Sequence, residues 1–282
     1  HAPGISVKAF ARELSGARIS KVSRRGKNVL IYLRKGGGNR LLLVIHPRMT
    51  GRFVTGRARP NGRPVGQARP NDRDYSVGRA AGTSGTGLSE YKHIRLIIYL
   101  AGGSFVALSD VRKFAKVSLG GEAEMASHPV LAGIGPEPLR RSFTLRELAR
   151  VLKKRSGKIK SVLMNQKVIA GIGNIYSDEV LWLARVHPER RASSLGRAEL
   201  RRVFASMKKV LRLAVRARGT SLRDYRDVGG RRGGYGKMRL VYGRKDEKCF
   251  RCGMKIKKMK IGGRTASFCP RCQRMPRKSI LR

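Results

Sequence analysis

The sequence predicts an α+β protein of several domains: an N-terminal β-sandwich, a helical middle domain and a small cysteine-rich ribbon at the C-terminus. Three observations carry this. Short apolar, β-branched runs recur through the first part of the chain. Apolar residues then follow a helical period. All four cysteines of the 282 residues fall in the last forty, as two C-x2-C pairs. The expected boundaries are 1–138 for the sandwich, with a flexible insert at 57–90, then 139–240 for the helices and 241–282 for the ribbon.

The strands come first. Ile19 and Val22 alternate with polar neighbours, and residues 29–33 and 41–45 are apolar runs separated by a Gly36-Gly37-Gly38-Asn39 turn. Residues 57–90 change character: Arg, Pro, Gly, Asn and Ser dominate, with almost nothing to bury, which reads as a long loop or disordered insert. It is either a solvated linker or a basic arm adding phosphate contacts. The run from Ile94 to Leu100, the Gly102-Gly103 turn and the run from Ser104 to Leu108 predict a hairpin.

The helices follow. Thr144-Leu-Arg-Glu147 is a capping box opening a helix with Leu145, Leu148 and Leu152 on one face. A second helix is expected over about 159–166. A third begins near Ile175 and turns Val180, Leu181 and Ala184 inward. The fourth runs from about Arg197 to Ala217, with Leu200, Val203, Phe204, Met207, Val210, Leu211 and Ala214 at helical spacing, and Gly219 stops it. Residues 219–240 are Gly- and Arg-rich and read as a mobile loop.

In the ribbon, Cys249-Phe-Arg-Cys252 and Cys269-Pro-Arg-Cys272 stand sixteen residues apart. Each C-x2-C turn presents two thiolates from one knuckle, and two knuckles complete a tetrahedral set for one structural Zn2+. Two disulfides would need an oxidising compartment, and neither end carries an apolar signal segment. The pattern therefore points to a reducing, cytoplasmic setting. With all four positions filled by protein, such a zinc holds structure and does no chemistry.

Charge indicates the partner. Lysine and arginine number 64 against 17 acidic residues, a net charge of +47. A body with that charge repels itself unless a polyanion neutralises it, and phosphate neutralisation with counterion release drives binding to nucleic acid. A generally basic proteome or an anionic membrane surface would also suit the charge. No amphipathic membrane helix is evident, however, and no run of ~18 apolar residues exists to span a bilayer. The composition is 40% hydrophobic, enough for true cores.

The segment joining the second and third helices reads Met164-Asn-Gln-Lys-Val-Ile-Ala-Gly171-Ile-Gly173-Asn174-Ile175-Tyr176. Its glycines allow tight turns, and Asn174 precedes a helix start whose free N–H groups suit an anion such as a DNA phosphate. Taken alone, the turn could equally just connect two packed helices.

At this point the sequence resembles the formamidopyrimidine-DNA glycosylase family. Residues 163–188, with Gly171-Ile-Gly-Asn-Ile-Tyr and Val186-His-Pro, are similar to that family's helix–two-turn–helix. Gly263-Arg264-Thr265 with Cys269-Pro-Arg-Cys-Gln273 resembles its zinc finger. Gly135-Pro-Glu-Pro-Leu139 matches its interdomain stretch, and Ser23-Arg-Arg-Gly-Lys27 and His46-Pro-Arg-Met49-Thr-Gly51 match two motifs of its β domain. The resemblance covers nearly the whole chain in order. It implies base-excision repair by a monomeric bacterial-type enzyme that removes oxidised purines from damaged double-stranded DNA and then cuts the strand by β,δ-elimination.

The resemblance also implies roles. Such an enzyme extrudes its target nucleotide, and the gap must be filled. Met49, Arg112 and Phe114 match the family's gap-filling wedge, reader of the orphaned cytosine and stack-buckling aromatic. Lys27 matches the lysine beside lesion and sugar, able to donate a hydrogen bond or a proton as the ring opens. Asn174 and Arg264 match the pair gripping the phosphate next to the lesion, with Arg264 counted with Lys27 among the catalytic residues. Arg155 and Lys160 fall at further phosphate contacts. Tyr91 falls where a histidine is usual, and Tyr235 lies in the stretch matching the loop that closes over the flipped base.

The family's Pro-Glu-Leu-Pro-Glu start, whose proline amine forms the Schiff base and whose glutamate is the acid/base, is not in these residues. Aligning Lys27 implies a truncated sandwich, short by on the order of 30 residues. Two readings follow: an incomplete record of an active bifunctional enzyme, which is favoured, or a lyase-dead relative that binds lesions. A non-enzymatic zinc-ribbon protein and a sister-branch enzyme acting on oxidised pyrimidines are the readings from other classes.

Overall fold

The computed structural model describes residues 6–57, 92–221, 226–228 and 230–276. Tyr91 and the insert beyond Arg57 lie outside the described residues. The chain divides into two compact units: His1–Ala132 with Ser221–Gly233, and Gly133–Thr220 with Gly234–Arg282.

The first unit is a sandwich of two antiparallel sheets. One sheet has the order β1 (Arg18–Arg25), β2 (Asn28–Arg34), β3 (Arg40–His46) and β7 (Lys116–Gly121). The other has β4 (Arg52–Arg57), β6 (Ser104–Ser109) and β5 (Ile94–Leu100). Alternation assigns the faces, since successive side chains point to opposite sides of a strand. Ile31, Leu33, Leu43, Ile45 and Leu119 face Leu108 between the sheets, with Phe53, Leu96 and Ile98 packed against them. The intervening Leu30, Leu42 and Val44 face the other way, against Met125 of the short helix α2 (Glu122–Ser127). The first sheet is thus covered on both faces. The expected hairpin is β5–β6, and the Gly36–Gly38 turn joins β2 to β3.

Strand β7, helix α2 and one further helix go beyond the sequence reading. Helix α1 (Val7–Leu14) starts at Ser6, whose hydroxyl accepts from Ala9 N–H, and Phe10 and Leu14 join the sandwich core. Its eight residues hold only two turns of apolar pattern, too few for periodicity to declare it.

The second unit packs α3 (Leu145–Lys153), α4 (Ile159–Met164), α5 (Asn174–Ala184) and α6 (Arg197–Arg216) around one core containing Leu148, Leu163, Val180, Leu181, Val203, Met207 and Val210. Thr144 caps α3 by accepting from Glu147 N–H, and Gly219 ends the α6 region with its N–H on Ala214 O. The ribbon belongs to the same compact unit. Its strands β8 (Lys257–Ile261) and β9 (Arg264–Phe268) form a hairpin, and Trp182 of α5 shares a core with Val241, Cys249, Ile256 and Cys269. The 219–240 stretch is not loose throughout. A bridge pairs Thr220 with Gly234, and Tyr235–Met238 form a short helical turn. Among the described residues, no helix is long and apolar enough to cross a membrane.

Candidate nucleic-acid interface

The strand register of the first unit gathers residues far apart in sequence. His46 ends β3 and pairs with Lys116, which starts β7, while Arg25 and Asn28 close the β1–β2 hairpin around Gly26-Lys27. Lys27 is therefore an exposed hairpin tip at the sheet end where β3 leaves and β7 enters. Met49 follows β3 by three residues, and Arg112 and Phe114 immediately precede β7. All three are exposed, Met49 at 67% and Phe114 at 56%, values at which an apolar side chain forgoes most of what burial would contribute.

Both exposed loops are held tightly. Gly51 N–H donates to Pro47 O at 2.9 Å, and a Cβ at Gly51 would lie 2.3 Å from that oxygen, so only glycine closes this turn. Arg48 and Lys113, each next to an exposed apolar residue, have left-handed backbones at φ 56° and 58°. Non-glycine residues rarely adopt this region, and it is enriched where structure over-determines a functional loop.

Two residues here escaped the sequence reading. His46 accepts from Arg48 N–H at 2.9 Å through Nδ1. Burial lowers its pKa, and Arg48, Lys27 and Lys116 lower it further, so the imidazole is a neutral member of a cationic cluster suited to an anion. Asp110, fully buried, accepts from the Thr50 hydroxyl, from Arg112 N–H at 3.3 Å and from Ala115 N–H at 2.7 Å. Burial alone would raise this carboxyl, but the Thr50 and backbone donors outweigh it and leave the pKa below the ordinary value. His46 opens the motif matched at 46–51, which is the signal available for it, whereas only the register could have revealed Asp110.

In the second unit, Gln166 ties the α4–α5 turn together. Its amide nitrogen donates to Met164 O and Ile172 O, and its oxygen accepts from Gly171 N–H at 2.8 Å. Residues 135–136 are sewn to the same turn through Gly135 N–H to Gln166 O and Ala170 N–H to Pro136 O. A Cβ at Gly135 would meet Val168 backbone atoms at 2.5 Å. Helix α5 then begins at Gly173 with no side-chain cap and no acidic residue in its first turn, which leaves its N-terminal dipole free to attract an anion. Asn174 donates to the Tyr242 hydroxyl at 3.5 Å, while its buried oxygen has no protein partner.

Two buried carboxylates of α5 position the ribbon. Glu179 accepts from the N–H groups of Leu240, Val241 and Tyr242 at 2.8–3.0 Å. Asp178 accepts from Ser267 N–H at 2.8 Å and pairs with Lys160. The Gly262-Gly263 turn presents the exposed Arg264 beside this anchorage, and Arg155 is also exposed.

Two expectations are corrected. Lys160 is fully buried, and its ammonium is consumed by Asp178 and by Thr265 O at 2.8 Å, so it braces the hairpin and cannot reach a phosphate. The family resemblance places it among the phosphate contacts, but a lysine is sealed inside when its charge is paired there. Tyr235 is buried edge-to-face against Tyr176 at 5.4 Å, with its phenol pKa raised by burial and then by Glu179. It is a core residue and not a contact to a flipped base.

The four cysteine sulfurs all lie within 4.8 Å of one another, with Cys252–Cys269 at 3.4 Å and Cys249–Cys272 at 4.0 Å. Tetrahedral Zn–S bonds place sulfurs about 3.8 Å apart. The donor set therefore fits one structural zinc.

Comparison with known proteins agrees with this fold and with the cysteine cluster. Residues 1–117 match the model of the formamidopyrimidine-DNA glycosylase N-terminal domain, 134–226 that of the formamidopyrimidine-DNA glycosylase H2TH domain, and 246–274 the zinc finger found in FPG and IleRS. A formamidopyrimidine-DNA glycosylase of Heliobacterium modesticaldum is 37% identical over 265 residues, covering 94% of this chain and 85% of the relative. The Lactococcus lactis Fpg in complex with abasic-site DNA superposes with a TM-score of 0.74 at 32% identity, over 94% of this chain and 85% of that one. MutM (Fpg) from Thermus thermophilus superposes at 0.73 with 33% identity, over 93% and 85%.

Proposed function

The chain belongs to the formamidopyrimidine-DNA glycosylase family, and from that premise we propose that it acts in base-excision repair, removing oxidised purines such as 8-oxoguanine and formamidopyrimidines from duplex DNA. The observation that carries this is the convergence of Lys27, Met49, Arg112 and Phe114 at one sheet end, with both apolar side chains exposed on hydrogen-bonded loops. Such residues suit a machine that replaces an extruded nucleotide: Met49 wedges, Phe114 buckles the stack, and the Arg112 guanidinium donates to the orphaned base.

The other roles follow the same logic. Lys27 donates a hydrogen bond or proton at the lesion and sugar as the ring opens and the strand is cut. Asn174, the open first turn of α5 and Arg264 grip the flanking phosphate, and Arg155 adds a further phosphate contact. Zinc, held by Cys249, Cys252, Cys269 and Cys272, keeps the hairpin that presents Arg264. One chain serves one lesion as a monomer in a bacterial-type cytoplasm.

The test is a competition gel-shift combined with borohydride trapping on these 282 residues. The proposal expects tighter binding to a duplex containing an abasic site opposite cytosine than to undamaged duplex or structured RNA. Equal affinity for all three would refute lesion recognition. A trapped covalent adduct would place a Schiff-base amine among these residues, and selective binding without trapping would assign them recognition alone.

A further inference from the structure

We propose that Asp110 is a positioning residue that latches the Met49 loop to the Arg112–Phe114 loop, so that wedge and orphan-base reader enter DNA as one rigid unit. The inference rests on the gap-filling roles assigned above. It goes beyond them by naming the group that makes separate loops act together.

Asp110 lies one residue past β6, in the second sheet. Its N–H donates to His93 O and its carbonyl accepts from Arg95 Nε, both at 2.9 Å. The backbone is therefore fixed to the β5–β6 hairpin. Its carboxylate faces the two loops that leave and enter the first sheet. Oδ1 is shared between the Thr50 hydroxyl and Arg112 N–H, and Oδ2 accepts from Ala115 N–H. Thr50 adjoins Met49, and Arg112 and Ala115 bracket Phe114. A single carboxylate with no solvent exposure thus contacts both loops. In a buried setting each such hydrogen bond resists displacement, because a broken one leaves an unsatisfied group.

The consequence is mechanical. Wedging and reading the opposite base must occur in the same gap. If the loops moved independently, Met49 could enter without Arg112 reaching the base, and the ordering entropy of each loop would oppose binding separately. The latch removes that freedom before DNA arrives.

The experiment compares T50V, which deletes only the hydroxyl at nearly constant volume, with T50S, which restores it, in the full chain. Hydrogen–deuterium exchange without DNA should show faster exchange in T50V across both 47–51 and 110–115, and wild-type rates in T50S. Acceleration confined to 47–51 would overturn the latch, whatever the protein does with DNA. In binding assays, T50V should lose about fivefold in preference for a tetrahydrofuran site opposite cytosine over one opposite adenine, the loss expected for one buried hydrogen bond. Its affinity for undamaged duplex should be unchanged, its melting temperature should fall by a few degrees with the lost buried hydrogen bond, and T50S should recover both the preference and the melting temperature. An unaltered cytosine preference in T50V would refute the coupling. A wild-type chain without any cytosine preference would refute the Arg112 role and, with it, the use of the latch, while the exchange data would still decide whether the latch exists.

Discussion

Lys160 and Asp178 form an ion pair in which neither side chain has any solvent exposure, and each also bonds the backbone of β9: Lys160 at Thr265 O, Asp178 at Ser267 N–H. Burial lowers the Lys160 pKa and raises that of Asp178 to about 6 against the pull of Lys160. Removing one partner leaves a buried charge uncompensated, which costs about 3–5 kcal/mol. K160M is expected to lose that much in urea unfolding, and K160M/D178N distinctly less. The sign of the pH effect follows from Asp178. Its folded pKa lies above the unfolded value of about 4 even with Lys160 beside it, and losing that pull raises it further, so the native state of K160M takes up the relieving proton at a higher pH than wild type does. The deficit of K160M relative to wild type should therefore shrink between pH 8 and pH 5. A deficit that stays constant or widens would contradict this account.

Zinc removal should dismantle the hairpin that carries Arg264. Elemental analysis is expected to give one zinc per chain, bound by the four clustered sulfurs. Because Cys249 and Cys269 also belong to the core around Trp182, a strong chelator or C269S should lower the melting temperature as well as abolish lesion binding. Full DNA affinity in metal-free protein would disprove the structural assignment.

Arg264 is exposed at the ribbon turn. As a phosphate contact, its truncation should weaken binding to all duplexes alike and reduce the slope of log K against log salt by about one. K160M, which removes a buried cation, should leave that slope unchanged under conditions where it stays folded.

Gly51 closes the Met49 turn with no room for a side chain, its Cβ position lying 2.3 Å from Pro47 O. G51A should displace Met49 and cut affinity for abasic duplex about tenfold, equivalent to about 1.4 kcal/mol. Zinc content and undamaged-duplex affinity should not change. Wild-type lesion affinity in G51A would show that the placement of Met49 does not matter.

Tyr235 separates a core role from a DNA contact. Y235A should destabilise the second unit by about 3–5 kcal/mol through the cavity left beside Tyr176. Y235F, which keeps the ring, should bind lesion duplex like wild type. A binding defect in stably folded Y235F would restore the tyrosine to the interface.

Much of this was legible in the sequence. The apolar runs at 29–33 and 41–45 became β2 and β3, the helical period from Leu200 to Ala214 became α6, and the C-x2-C spacing became one sulfur cluster. These are local signals: a strand, a helix and a knuckle each announce themselves within a few residues. The family resemblance assigned Met49, Arg112 and Phe114 gap-filling roles, where a reading of the residues alone makes Met49 and Phe114 core, and the fold leaves all three exposed. Helix α1 was too short to declare itself.

The sequence by itself determined the longer strands and helices and their order, the zinc ligands and a cationic excess suited to a polyanion, because periodicity, spacing and net charge are properties of the chain that survive any packing. Only the tertiary structure decided what individual polar residues do. Among 64 cations, nothing local distinguishes Lys160, sealed against Asp178, from Arg264, held out at a turn. Nothing local marks Asp110 among 17 acids as the one that binds two loops. The physical reason is that the free energy of a polar group depends on its solvent exposure and its partners, and those are set by strand register and helix packing between residues up to 105 positions apart, as Lys160 and Thr265 are.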